Sequence, residues 1–173
     1  MNEIKVKILV VGDSGTGKTS LVHYLCHNEP VKKLDWTIGC SSYVKFYSPK
    51  YKKKRYILTF YDIGGCTSHK VSRKVFYQKP HGIILVYDHC NKKSKENLIN
   101  WLYEIFSEQH PIFKKDTDQL DIQIFNTDIP ILIVATHYDT NNSMIPNNNQ
   151  DSLYKKFDSI ISNEIFMSTQ LAK

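Results

Sequence analysis

The stretch Ile8-Leu9-Val10-Val11-Gly12-Asp13-Ser14-Gly15-Thr16-Gly17-Lys18-Thr19 decides the reading of this chain. Its second part matches G-x-x-x-x-G-K-[ST], and the context is the required one, an apolar strand before it and a helical pattern after it. Each residue type has a physical reason. The glycines Gly12, Gly15 and Gly17 let the backbone wrap a polyphosphate so that the amides of Asp13, Ser14 and Thr16 turn inward. The start of the following helix, at Lys18, Thr19 and Ser20, adds the positive end of a dipole. Lys18 supplies a mobile charge for β- and γ-phosphates, and the Thr19 hydroxyl can ligate Mg²⁺. A nucleotide triphosphate is the ligand these residues imply.

The rest of the chain fits one such domain over residues 1–173. At 173 residues there is room for a substantial core, and apolar runs alternating with helical patterns predict a mostly parallel sheet covered on both faces. Residues 4–11 read as a strand and 18–28 as a helix. Segments 42–48 and 56–61 alternate about a basic turn, Lys50-Tyr51-Lys52-Lys53-Lys54-Arg55, and predict an antiparallel hairpin with a solvated tip. Residues 82–87 form a buried-type strand ending at Asp88. Ser94 reads as the N-cap of a helix that carries Leu98, Trp101, Leu102, Ile105 and Phe106 on one face. Residues 131–135 read as another buried strand, and 152–162 as one more helix. The polar stretch 107–129 and the Asn-rich stretch 140–150 read as long connections.

Composition excludes several function classes. The formal net charge is +6, yet no basic stripe with interleaved aromatics recurs, so nucleic acid is not an expected partner. Cys26, Cys40, Cys66 and Cys90 show no C-x-x-C pairing. No signal segment or membrane-length apolar run is present, which predicts a cytoplasmic chain with free thiols, peripheral membrane contact being left open. No cysteine lies near Gln170-Leu171-Ala172-Lys173, so no lipid anchor is encoded in this stretch. His23 and His27 stand at helical i, i+4 spacing around Cys26, and helix-surface residues are the simpler reading than a metal site.

Three further words fall at the carboxyl ends of predicted strands or in the loop after the first helix. In Asp62-Ile63-Gly64-Gly65, the aspartate can support a metal and Gly65 can offer its N–H to a γ-phosphate. In Trp36-Thr37-Ile38-Gly39, the Thr37 hydroxyl can complete Mg²⁺ coordination. In Thr136-His137-Tyr138-Asp139, the Asp139 carboxylate can accept both N1–H and N2–H of guanine. Each word is weak alone; their order after a phosphate loop makes the signal.

With these residues the chain resembles a Ras-superfamily small GTPase of the Rab type over roughly residues 4–139. The words Trp36-Thr37-Ile38-Gly39-Cys40-Ser41 and Asn91-Lys92-Lys93-Ser94 are not general Rab features and point to a Rab-like subgroup. The resemblance implies a three-layer α/β fold, a six-stranded sheet with one antiparallel strand, Mg²⁺-dependent binding of GTP and GDP, and switch segments near 29–41 and 63–80. It implies a molecular switch in signalling or vesicle trafficking, with effector proteins on the switch loops and an exchange or activating factor acting on them. By carry-over Lys18 holds phosphates, Thr19 and Thr37 ligate Mg²⁺, Asp62 supports it, Gly65 senses the γ-phosphate, and Asp139 reads guanine. Ser168 and Thr169, after the apolar pair in Glu164-Ile165-Phe166-Met167, stand where the family has a guanine loop.

The departures carry equal weight. Most active members have Gln after the D-x-x-G glycine; this chain has Cys66, a poor group for orienting water, which predicts weak GTPase activity. The guanine motif Asn-Lys-x-Asp reads Thr136, His137 and Asp139: Thr136 cannot offer the amide pair that ties this loop to the phosphate loop and base, His137 has a shorter stem to cover the purine, and Glu29-Pro30-Val31 offers no ring to clamp it. Each loss costs about 1 kcal/mol or more, so affinity is expected to fall roughly tenfold to several hundredfold. A catalytically inactive scaffold that acts by protein contacts only is the competing reading. After Thr169 only Gln170-Leu171-Ala172-Lys173 remains, about one helical turn. The expectation is therefore a domain that stops short of its final helix, with a partner or a second copy filling the gap, unless 152–162 is itself that helix.

Overall fold

In the computed structural model the described residues are 3–33, 35–50, 54–109, 128–138 and 164–166. They build a six-stranded sheet in the order β2-β3-β1-β4-β5-β6, with β1 at Glu3–Val11, β2 at Cys40–Tyr47, β3 at Arg55–Ile63, β4 at Gly82–Asp88, β5 at Ile131–Thr136 and β6 at Glu164–Phe166. Only the β2–β3 pair is antiparallel among these; β1–β3, β1–β4, β4–β5 and β5–β6 run parallel. That is the expected α/β sheet, and its parallel pairing puts the carboxyl ends of β3, β4 and β5 on the side where β1 feeds the phosphate loop.

Strand alternation divides the core between two faces. On β1, Leu9 and Val11 join Ile63, Ile83, Leu85 and Tyr87 on one side, while Val10 joins Phe60, Ile84, Val86 and Val134 on the other. Helix α4 (Leu98–Gln109) covers the first face with Leu98, Trp101, Leu102, Ile105 and Phe106, all buried as their helical spacing predicts. Helix α1 (Lys18–His27) covers the second with Leu21 and Val22. Burying one such side chain stabilises the fold by about 1.5–3 kcal/mol, so both faces anchor the loops at their shared edge.

Boundaries moved where pairing or capping decided them. The β2–β3 ladder runs from Cys40↔Ile63 to Tyr47↔Tyr56, longer than the hairpin alternation alone predicts. It continues into Gly64, whose N–H donates to the Gly39 carbonyl at 2.8 Å. Asn28 ends α1 as a left-handed cap with φ 59°, its N–H donating to the Tyr24 carbonyl. Ser94 is not an N-cap. Helix α3 (Lys92–Glu96) starts earlier, and the Asn91 side chain accepts the Ser94 N–H. The buried Ser94 hydroxyl instead lies 2.7 Å from the Asn91 carbonyl and accepts the Asp88 N–H, fastening α3 to the end of β4. Between β3 and β4 the chain makes short helical turns at Thr67–His69, α2 (Lys70–Arg73) and Lys74–Phe76.

The stretches 110–127 and 140–163, the basic tip 51–53, and Ser168 and Thr169, expected in a guanine loop, lie outside the described residues, as does Asp139. So do the helix expected at 152–162 and the final four residues. No helix among the described residues is long and apolar enough to cross a membrane.

Candidate functional site

The phosphate loop leaves β1 with no slack. A side-chain carbon on Gly12 would lie 2.0 Å from the Val86 carbonyl oxygen, so only glycine passes β4 here. Ser14 and Gly15 are exposed at the crown, whereas Thr16 is buried and its hydroxyl donates to the Asp13 carbonyl at 3.0 Å. Gly17 is the N-cap of α1 and brings no side chain to cap it. The first-turn amides of Lys18, Thr19 and Ser20 therefore face an acceptor from outside the helix, the arrangement that suits an anion. The Lys18 ammonium reaches over the loop and donates to the Asp13 carbonyl at 2.6 Å. Burial pulls its pKa down to about 8, against the opposing pull of Asp62 and Asp13.

Three oxygens chosen from three separate words meet beside the lysine. Thr19 Oγ1 donates to Asp62 Oδ2 at 2.6 Å, Thr37 Oγ1 lies 3.0 Å from Thr19 Oγ1, and Thr37 Oγ1 donates to Asp62 Oδ2 at 3.3 Å. Asp62 is fully buried, and its other oxygen, Oδ1, has no hydrogen-bond partner. Burial raises the Asp62 pKa, while the Thr19 hydroxyl, Lys18 and the Thr37 hydroxyl oppose the rise. A buried carboxylate with an orphan oxygen beside two hydroxyls is a donor set for a small hard cation.

Gly65 packs directly on the loop. A side-chain carbon there would fall 2.4 Å from the Ser14 nitrogen and 2.7 Å from the Gly12 oxygen, so the residue type is what permits the approach. Next to it, Cys66 is exposed, its sulfur 3.0 Å from the Ser68 hydroxyl. That hydrogen bond lowers the thiol pKa.

Beside Gly17, Thr136 is buried at the end of β5. Its hydroxyl lies 2.9 Å from the Thr16 carbonyl and 3.0 Å from the Tyr87 carbonyl. The expected loss of the tie between this loop and the phosphate loop is thus corrected: a hydroxyl makes it in place of an amide. His137 follows in the left-handed region, φ 55°, with Nδ1 3.3 Å from Asp88 Oδ1.

A second layer escaped the sequence reading. The Asp13 carboxylate accepts from Asn97 Nδ2 at 2.7 Å and from Trp101 Nε1 at 2.9 Å. Arg73, buried, forks onto Glu104 at 2.6 and 2.8 Å and donates to the carbonyls of Gly64 and Cys66. Tyr77 donates to the same Glu104 at 2.8 Å. Burial works against both charges, but the paired hydrogen bonds hold the Arg73 pKa up and the Glu104 pKa down. A charged residue in an otherwise apolar helical pattern, Glu104 in α4, was the one available signal.

Comparison with known proteins agrees with this geometry. The family described as "Ras of Complex, Roc, domain of DAPkinase" matches residues 7–114. The chain belongs to the Ras superfamily of small GTPases, in its Rab-like branch. It is 39% identical over 145 residues to "Rab-like protein 3" of Mus musculus, covering 78% of this chain and 61% of that protein. To the Danio rerio "Rab-like protein 3" it is 36% identical over 159 residues, 86% of this chain and 66% of the relative. A "Small GTPase-like protein" of Arabidopsis thaliana is 32% identical over 112 residues, 58% of this chain and 34% of that one. The chain thus spans about three fifths of the length of the first of these relatives.

Large apolar side chains stand exposed around the loop. Trp36, 81% exposed, and Ile38, 76%, flank Thr37. Val71 and Val75 stand exposed on the turns after Gly65. Both groups sit on segments that Thr37 and Gly65 tie to the site.

Proposed function

We propose that this chain is a Mg²⁺-dependent guanine-nucleotide switch with weak intrinsic hydrolysis. The observation that carries the reading is the convergence of Thr19, Thr37 and Asp62 beside Lys18, with the buried Asp62 Oδ1 left over. Those oxygens fit Mg²⁺, which when bound neutralises charge between β- and γ-phosphates. Thr19 and Thr37 would hold the ion directly, and Asp62 would orient its water shell. Lys18 and the amides of residues 13–19 would grip the phosphates, and the Gly65 N–H would mark the γ-position. Asp139 would select guanine through its two acceptors, with Ser168 and Thr169 beside the base.

Thr37 and Gly65 link phosphate contacts to the exposed Trp36, Ile38, Val71 and Val75, so these apolar groups are the surface that nucleotide state would present to effector proteins. Cys66 favours a second reading, a switch or scaffold that binds nucleotide without useful turnover. Its thiol bonds to Ser68 and offers no amide to a water.

Competition against labelled GDP tests the proposal. GTP and GDP should outcompete ATP by at least about a hundredfold, because adenine leaves the Asp139 acceptors without donors. Asp139→Asn should shift preference toward xanthine nucleotides, and chelation of Mg²⁺ should speed release. Equal affinity for ATP and GTP would sink the reading.

A further inference from the structure

The Asp13 side chain belongs to the phosphate loop but is held by α4. Asn97 Nδ2 and Trp101 Nε1 each take one carboxylate oxygen, at 2.7 and 2.9 Å. The backbone oxygen of the same residue receives the Lys18 ammonium and the Thr16 hydroxyl. A shift of the Asp13 backbone that follows its side chain therefore moves the perch of the phosphate-binding lysine. These bonds are charge-assisted and short, the kind that fixes a loop's geometry.

Trp101 has a second contact. The Arg73 guanidinium lies 4.0 Å over its ring, and both side chains are buried. Arg73 Nη1 reaches the carbonyls of Gly64 and Cys66, on either side of Gly65. One indole thus presents its N–H edge to the phosphate loop and its face to the arginine that holds the Gly64–Cys66 segment.

Resting on the nucleotide reading above, we propose that Trp101 couples the phosphate loop to the Gly64–Cys66 segment. With Asn97, it acts through Asp13 as a positioning residue that sets how fast a guanine nucleotide leaves. Gly65 also packs directly on the loop; Trp101 adds a side-chain path between the two segments, held on the sheet by the apolar face of α4. Coupling of this kind is a claim about energies, and a mutant cycle measures it.

The experiment is release of labelled GDP from the 173-residue chain. Trp101→Phe keeps a ring beneath Arg73 and deletes the N–H; release should quicken about five- to tenfold. Asp13→Asn should do the same, because it removes the carboxylate charge that both donors share. The exchange Asp13→Asn with Asn97→Asp returns a carboxylate opposite an amide and should bring release to within about twofold of the unaltered chain. Unchanged release in both single variants overturns the proposal, as does an exchange variant that stays as fast as Asp13→Asn. If the unaltered chain takes up no labelled GDP, the nucleotide reading falls and this inference with it.

A measurement on the intact pocket covers variants that fail to fold. The chain has two tryptophans, and Trp36→Phe leaves only Trp101. Its emission should shift when GDP is replaced by a non-hydrolysable GTP analogue; identical spectra overturn the coupling.

Discussion

At Lys18, burial works against the charge that the loop needs, and the pKa drops to about 8. Polyphosphate beside the ammonium would restore it, so nucleotide binding should take up a proton above that pH. Affinity should then fall as pH rises past 8, approaching about tenfold per unit. The sign for the free protein is opposite. Between pH 8 and the ordinary lysine range, the unfolded chain binds more protons, so stability rises with pH across that window. Calorimetric titration with GDP at about pH 8.5, in two buffers of different ionisation enthalpy, should reveal the uptake; identical heats after buffer correction would contradict it. Cys66 is the other decisive side chain. Cys66→Gln should raise single-turnover hydrolysis by about tenfold or more if water orientation limits the rate. An unchanged rate means that another group limits it.

Among the elements, the loop after β5 shows how far words alone carry. Thr136 stands where the family has Asn, and the sequence suggested a broken tether. The tether is present because a β-branched hydroxyl at the end of a buried strand reaches the Thr16 carbonyl. Against the family's motif, the chain still lacks the Asn amide and the long lysine stem that the resemblance would set against a guanine base. Thr136→Asn with His137→Lys should therefore slow GDP release, by about tenfold, in a stopped-flow experiment. An unaltered off-rate would mean that this pocket holds its base by other groups. Positions read from neighbours along the chain, such as the loop from Gly12 to Thr19 and the apolar face of α4, were legible because local pattern fixes them. Ser94 was misread because Asn91, three residues earlier, caps the helix more effectively. The Asp13–Trp101 and Arg73–Glu104 bonds join residues 88 and 31 apart. No local period encodes such pairings, and they became readable only once the sheet order was known.

For the molecule as a whole, the sheet is the reason the site exists. Parallel strands β1, β3, β4 and β5 deliver Gly12, Asp62, Asp88 and Thr136 to one edge, and α1 and α4 hold that edge from opposite faces. The antiparallel β2 brings Thr37 into reach through the Gly39–Gly64 hydrogen bond. Family membership and this geometry point to a guanine nucleotide as the ligand around which the edge is arranged. The most direct measurement is to denature the purified protein, identify the nucleotide it releases, and follow turnover of added GTP with Mg²⁺. GDP or GTP is expected, close to one per chain, with GTP converted slowly. Release of an adenine nucleotide, or of none together with no uptake of added GTP, would contradict that expectation.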